Sequence, residues 1–233
     1  MEELVVTRRR VNNPLALAVL GCLNERPMHP YEINTTLRTR GKEQSIKLNY
    51  GSLYSVVESL QKHGLITTRE TIREGRRPER TIYAITPDGA AEFEDWLAEL
   101  LSTPVREFTS LEAGLSLIGG LPPDEVARLL EERCERLRME LRALEAQHEV
   151  GTEMGLPEVF VVEGHYRHAM LKAELEFVID VAHRIRTAEF GGTKMWGRIH
   201  ELQAEGISME MIAADPVRYL GEEGRILQPP PRD

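Results

Sequence analysis

Apolar residues in the first part of the chain recur with helical spacing in three short bouts. In "NPLALAVLGCLNE", Leu15, Ala18, Val19 and Cys22 fall at i, i+3, i+4 and i+7, which places them on one face of a helix. Asn13 supplies a cap, Pro14 suits the first helical position, and the run stops before Pro27. A second bout, "YEINTTLRTR" from Tyr31, buries Ile33 and Leu37 and ends at Gly41, a residue suited to a helix end. In the third, Leu53, Val56, Val57 and Leu60 repeat the spacing and Gly64 closes it. Three short amphipathic helices in succession predict a compact tri-helical unit.

The period then shortens. "LITTRETIR" and "RTIYAIT" are rich in β-branched residues and predict two strands, joined by "EGRRPE", where Gly75 and Pro78 mark a turn. Three helices followed by a hairpin with a basic tip is the order of a winged helix-turn-helix. "TPDG" opens a further helix, with Thr86 as cap, Pro87 at its first position and Asp88 in its first turn. "AAEFEDWLAELL" continues it.

Beyond Pro104 the pattern is helical throughout. In "PPDEVARLLEERCERLRMELRALEAQHE", Leu130, Cys134, Leu137, Leu141 and Leu144 step by 4, 3, 4, 3, and Leu171, Leu175, Val178, Ala182 and Ile185 do the same further on. Each seam covers barely two or three heptads, so two readings stand. One is an antiparallel pair inside a single domain. The other is a dimer interface built on Leu137, Leu141, Leu144, Leu171, Leu175 and Val178, preferred here because a two-fold DNA reader needs one. From Gly191 the pattern weakens to one helix near residues 194–204, and "QPPPRD" reads as a tail. The expected fold class is mainly α. Residues 1–90 would form a winged helix-turn-helix, 91–190 a helical dimerisation and effector-sensing domain, and 191–233 a partly helical extension.

Composition and charge narrow the function. The chain has 233 residues, 41% hydrophobic and 29% charged, as a globular protein has. Its longest apolar runs are too short to cross a bilayer, and the start, Met1 followed by two glutamates, does not read as a secretory leader. Cys22 and Cys134 both sit in apolar helical patterns and suggest no disulfide framework, so a cytoplasmic location is expected. The net charge of −9 is unevenly spread. Residues 1–88 carry 14 Lys/Arg against 10 Asp/Glu, and the remainder 15 against 28. Only the first part would welcome a polyanion.

The third helix carries the candidate chemistry. It opens with Asn49, Tyr50, Gly51, Ser52 and Tyr54, nearly all small or hydroxyl-bearing. A helix N-terminus presents unpaired N–H groups and the positive end of the dipole, both suited to phosphate. Gly51 permits close backbone approach, and Asn49, Tyr50, Ser52 and Tyr54 offer hydrogen bonds to phosphates or base edges. Alternatively Asn49 merely caps and the tyrosines pack. The hairpin tip favours the DNA reading. "REGRRPER" sets Arg73, Arg76, Arg77 and Arg80 within eight residues, suited to a phosphate or a narrow minor groove. "RRR" at Arg8–Arg10 is a weaker basic signal.

"LGCLNERPMHPYEI", "YGSLYSVVESLQKHGLI" and "EGRRPERTIYAITPDG" together resemble, in order and spacing, the PadR family of bacterial transcriptional regulators. The resemblance covers roughly residues 14–100. Gly51–Ser55 is similar to the family's G-T-L-Y-P recognition-helix signature and Tyr31–Ile33 to its Y-E-L; Pro30, Ser52 and Ser55 depart from the pattern. The resemblance implies a homodimeric repressor of double-stranded operator DNA with approximate two-fold symmetry, whose C-terminal helices dimerise and often sense small aromatic molecules. By matching position, Tyr31, Ser52 and Tyr54 would contact DNA, and Arg76 and Arg77 would act from the wing.

Rival constellations are thin. His165 and His168 lie at i, i+3 with Glu163 and Tyr166 nearby, but two imidazoles complete no zinc site. No P-loop, nucleotide-binding glycine motif or H-E-x-x-H occurs, so no cofactor, metal or catalytic role is expected. Phe93 and Trp96, with Phe108, Met195 and Trp196, suit either the wall of an effector pocket or plain core. The alternatives to a DNA-binding regulator are a winged-helix module for protein partners and a metal-dependent sensor.

Overall fold

The computed structural model describes residues 11–72 and 80–227. The chain divides into two compact units, Met1–Arg106 and Glu107–Asp233. The first contains α1 (Pro14–Glu25), α2 (Pro30–Thr39), α3 (Tyr50–Lys62), β1 (Ile66–Ile72), β2 (Arg80–Ile85) and α4 (Pro87–Ser102). This is the winged helix-turn-helix order, three helices and then a two-stranded antiparallel sheet.

Three helices of this unit start where a side chain can accept from an open amide by the expected residue. Asn13 accepts from the Leu15 amide at 2.9 Å, Asn49 from Gly51 at 3.0 Å and Thr86 from Gly89 at 3.1 Å. One core joins all the elements: Leu15, Val19, Leu20 and Leu23 from α1, Ile33 and Leu37 from α2, Leu53, Val57 and Leu60 from α3, Ile66 from β1 and Trp96 from α4. On α2 and α3 the expected stripes are the buried ones; on α1 Ala18 is only half-buried, and Ala16, Leu20 and Leu23 are buried as well as Leu15, Val19 and Cys22.

The sheet is tied to the helices at two places. Met28, between α1 and α2, exchanges backbone hydrogen bonds of 3.0 Å with Tyr83 in the middle of β2. At the base of the hairpin the Thr86 hydroxyl donates to the Gly64 carbonyl at 2.7 Å, and the Thr86 amide donates to the Leu65 carbonyl at 3.1 Å. The ladder pairs Ile66 with Ile85 and slips by one residue between Thr68 and Glu70, leaving Arg69 as a bulge.

The second unit contains α5 (Ser110–Ser116), α6 (Pro123–Glu153), α7 (Val162–Arg186), α8 (Thr193–Ala204), α9 (Met209–Ala214) and α10 (Pro216–Leu220). Its core is the α6–α7 hairpin: Val126, Ala127, Leu130 and Cys134 pack on Val178, Val181, Ala182 and Ile185. Ion pairs cross the same hairpin, with the Arg186 guanidinium donating to both Glu131 carboxylate oxygens at 2.9 and 3.0 Å, and Arg133 donating to Glu174 at 2.6 Å. These pairs are largely exposed, so the apolar seam dominates the stability of the hairpin. Among the described residues no helix is long and apolar enough to cross a membrane.

The sequence reading divides the chain near residues 90 and 190. In the structure α4 lies wholly within the first unit because its Trp96 is buried in that core. Residues beyond 190 belong to the second unit, where the Trp196 indole donates to the Leu121 carbonyl at 2.8 Å.

Gly89 provides a test of the junction between sheet and α4. A Cβ there would lie 2.0 Å from the Leu65 carbonyl oxygen, so the backbone itself must move. Gly89→Ala is expected to destabilise the first unit by about 3 kcal/mol, read as a lower denaturation midpoint with the helical unit unchanged.

Candidate nucleic-acid interface

The interface is built from the face of α3 that the core leaves over. Leu53, Val56, Val57 and Leu60 are buried, so Gly51, Ser52, Ser55 and Glu58 are turned outward by the helical period alone. The exposed positions at the start of the helix are small. A Cβ added at Gly51 would meet only the Asn49 Oδ1, at 3.6 Å, an ordinary contact. The fold therefore does not require glycine there, and the space beside it opens outward. A groove of about 600 Å³ runs along this end of α3, lined by Asn13, Asn49, Gly51, Ser52, Ser55 and Ser59. Among the described residues its polar groups are amides and hydroxyls, with no carboxylate in the lining to repel a phosphate.

Asn49 caps α3 through its side chain, leaving the first turn otherwise open. Tyr54 is half-buried beside the apolar stripe. Tyr50 begins α3; its side chain lies outside the described residues, as do Arg73, Arg76 and Arg77 at the hairpin tip. Tyr31 stands at the start of α2 and is 60% exposed.

How Tyr31 is held was not legible in the sequence. The His29 Nδ1 accepts from the Tyr31 amide at 3.1 Å, while the His29 amide donates to the Glu32 carboxylate at 2.9 Å. Acceptance requires a neutral imidazole. Partial burial, followed by the positive charge of Arg80, holds the His29 pKa below its ordinary value. A second brace joins the ends of α1 and α2, where Arg40 donates to Glu25 through both of its terminal nitrogens, at 2.5 and 2.7 Å, and holds the Glu25 carboxyl below the usual carboxylate range. The Cys22 thiol is buried and pushed up to about 11, so it is inert at neutral pH.

In the helical unit, Leu137, Leu141, Leu144 and Val178 are buried within the single chain, and Leu171 and Leu175 are half-buried. A groove of about 530 Å³ opens on the same unit, walled by Leu111, Leu115, Leu117, Leu121 and Leu129, with Arg133, Arg136, Glu140 and Glu174 as its polar groups. Phe93 and Trp96 lie elsewhere: Trp96 is in the core of the first unit, and Phe93 packs against that core beside Gly21. Among the described residues no three metal-ligating side chains converge on one point.

A tri-helical core closed by a two-stranded sheet, with a small polar face on its third helix, defines a winged-helix DNA-binding transcription regulator. Residues 19–95 match the transcriptional regulator PadR-like family. That stretch of the first unit carries the family's domain.

The negative transcriptional regulator PadR of Bacillus subtilis (strain 168) is 28% identical to it over 138 residues, which cover 58% of this chain and 73% of that protein. The crystal structure of Bacillus subtilis PadR in complex with operator DNA superposes with a TM-score of 0.61 at 20% identity, over 74% of this chain and 99% of that one. The same regulator in complex with p-coumaric acid gives 0.58 at 17% identity, over 76% and 99%. At these identities the structural likeness is one of fold.

The His29 cap sets a pH dependence. A folded-state pKa below the unfolded value means that the cap's contribution is present above about 6.5 and is lost as pH falls through the lowered value. The Tyr31 amide is expected to lose exchange protection on acidification, measured residue by residue in NMR, and His29→Asn, a cap that does not titrate, is expected to remove that dependence.

Proposed function

We propose that this regulator is a homodimeric repressor that binds double-stranded operator DNA of approximate two-fold symmetry and is released from it by a small aromatic molecule. The observation that carries the reading is the N-terminal turn of α3, where the apolar side chains face the core and an amide- and hydroxyl-lined groove faces outward. Tyr31, Asn49, Tyr50, Gly51, Ser52 and Tyr54 serve as its DNA contacts, with Arg73, Arg76 and Arg77 reaching the backbone or minor groove from the wing. The curated relative is named a negative regulator, and structural neighbours hold operator DNA and p-coumaric acid; both support the reading.

The mechanism follows from spacing. Two recognition helices must sit about one DNA turn apart, roughly 34 Å, to enter successive major grooves. The helical unit sets that distance in the dimer. Because Leu137, Leu141 and Leu144 are already covered within one chain, a second copy docks on the flanks of the hairpin that remain apolar and exposed, where Leu129, Met139, Phe177 and Ile179 lie. The leucine-walled groove takes the effector in place of Phe93 and Trp96, and a ligand that favours another helix arrangement changes the spacing.

Fluorescence anisotropy with the DNA upstream of the protein's own gene, and with scrambled DNA, at two salt concentrations tests this. The expected result is tight binding to the upstream DNA alone, weakened by salt and by p-coumaric acid. Neutralising Arg76 and Arg77 should lower affinity and flatten the salt slope. A folded dimer that binds neither DNA, and is indifferent to those arginines, would instead be a winged-helix module for protein partners.

Gly51→Ala separates fold from recognition. Alanine is favoured over glycine in a helix by about 1 kcal/mol, so the thermal midpoint should stay or rise. The added methyl stands in the open groove, and operator affinity in the same anisotropy assay is expected to fall about tenfold, equivalent to roughly 1.4 kcal/mol.

A further inference from the structure

A third histidine joins the two that stand out in the sequence. His148, near the end of α6, meets His165 edge to face with ring centroids 4.8 Å apart, and lies 6.1 Å from His168. Its Nε2 is sealed from solvent and has no hydrogen-bond partner among the described residues. The ring fits there only because residue 164 is glycine: a Cβ at Gly164 would stand 2.6 Å from that nitrogen. Among the described residues no group of three or more ligating side chains is placed to hold a metal ion.

The charges facing the cluster come from three elements. On α6, Glu145 lies 3.2 Å from the His168 Nε2. In the short turn at Glu158–Phe160 that precedes α7, Glu158 lies 3.6 Å from the His165 Nδ1. On α7 the facing groups are His165 and His168 themselves. Both of these carboxylates thus approach a histidine other than His148. A neutral ring tolerates a buried, unpaired nitrogen. A protonated ring must place a charged N–H there with no acceptor among the described residues, beside two further imidazoles.

We propose that His148, His165 and His168 form a proton-sensitive clasp at the loop end of the α6–α7 hairpin, closed while His148 is neutral and opened when it is protonated. Burial first, and then the two neighbouring histidines, hold the His148 pKa below its ordinary value, with Glu145 opposing. The sign follows: closure is stable above about 6.5 and is lost as pH falls through the lowered value. The leucine seam nearer the other end of the hairpin contains no histidine among its buried positions, so the opening is local.

Hydrogen–deuterium exchange on the full chain at pH 7.5 and 5.5, corrected for intrinsic exchange, tests the clasp. Protection over residues 145–170 is expected to be lost at the lower pH, while residues 126–134 keep theirs. His148→Phe, which keeps a ring in the place but cannot take a proton, is expected to retain protection at pH 7.5 and to abolish the fall. Equal protection of the wild-type segment at both pH values, or an undiminished fall in the folded His148→Phe protein, overturns the proposal. Should that variant not fold, the wild-type imidazole titration by NMR decides. His148 titrating below about 6.5 supports the clasp, and titration at or above that value overturns it.

Discussion

Everything in the first unit depends on α3 being an amphipathic helix with no apolar residue to spare. Its four large aliphatic side chains all enter the core that it shares with α1, α2, β1 and α4. Burying them turns Gly51, Ser52 and Ser55 outward with no further instruction. Recognition is thus a by-product of packing: the side that stabilises the fold dictates the side presented. Burial of such a residue is worth about 1.5–3 kcal/mol, far more than any single hydrogen bond on the outer face, so the helix orientation is set by its inner side.

The same division of labour holds in the helical unit with different means. A long hairpin needs its register fixed over many turns, and the 4, 3 spacing of Leu130, Cys134, Leu137, Leu141 and Leu144 does this from one side. Arg133 and Arg186 clip the edges through Glu174 and Glu131. The net negative charge of this part of the chain resides in its solvent-facing carboxylates. A reader of DNA whose other unit repels phosphate gains selectivity for the surface that does not.

Much of the first unit was legible because its signals are local. Apolar spacing located α1, α2 and α3, and the cap residues Asn13, Asn49 and Thr86 marked the starts of α1, α3 and α4. The arrangement of Gly51 and Ser52 on the outer face also follows from period alone. What escaped the sequence depends on contacts between distant residues. Nothing in "MHP" shows that His29 would cap α2, since histidine is not a usual capping residue. Trp96 reads more readily as core than as pocket wall, and which core it joins shows only when α4 is seen against α1. His148 is separated from His165 by a turn whose length decides whether they meet, and only Gly164, a glycine inside a helix, was a visible hint of close approach. The seam leucines had two readings, and the heptad count was too short to choose between them.

The shared core has one further consequence, for how the protein comes into being. The helices of the first unit have 10 to 16 residues, too short to be more than marginal alone in water. Their common core is not complete until Trp96, nearly fifty residues after the start of α3, has been added. A chain still under synthesis therefore has the whole recognition sequence in hand well before it has a recognition surface. Competence for DNA arrives late and in one step, so a truncated or stalled product would occupy no operator.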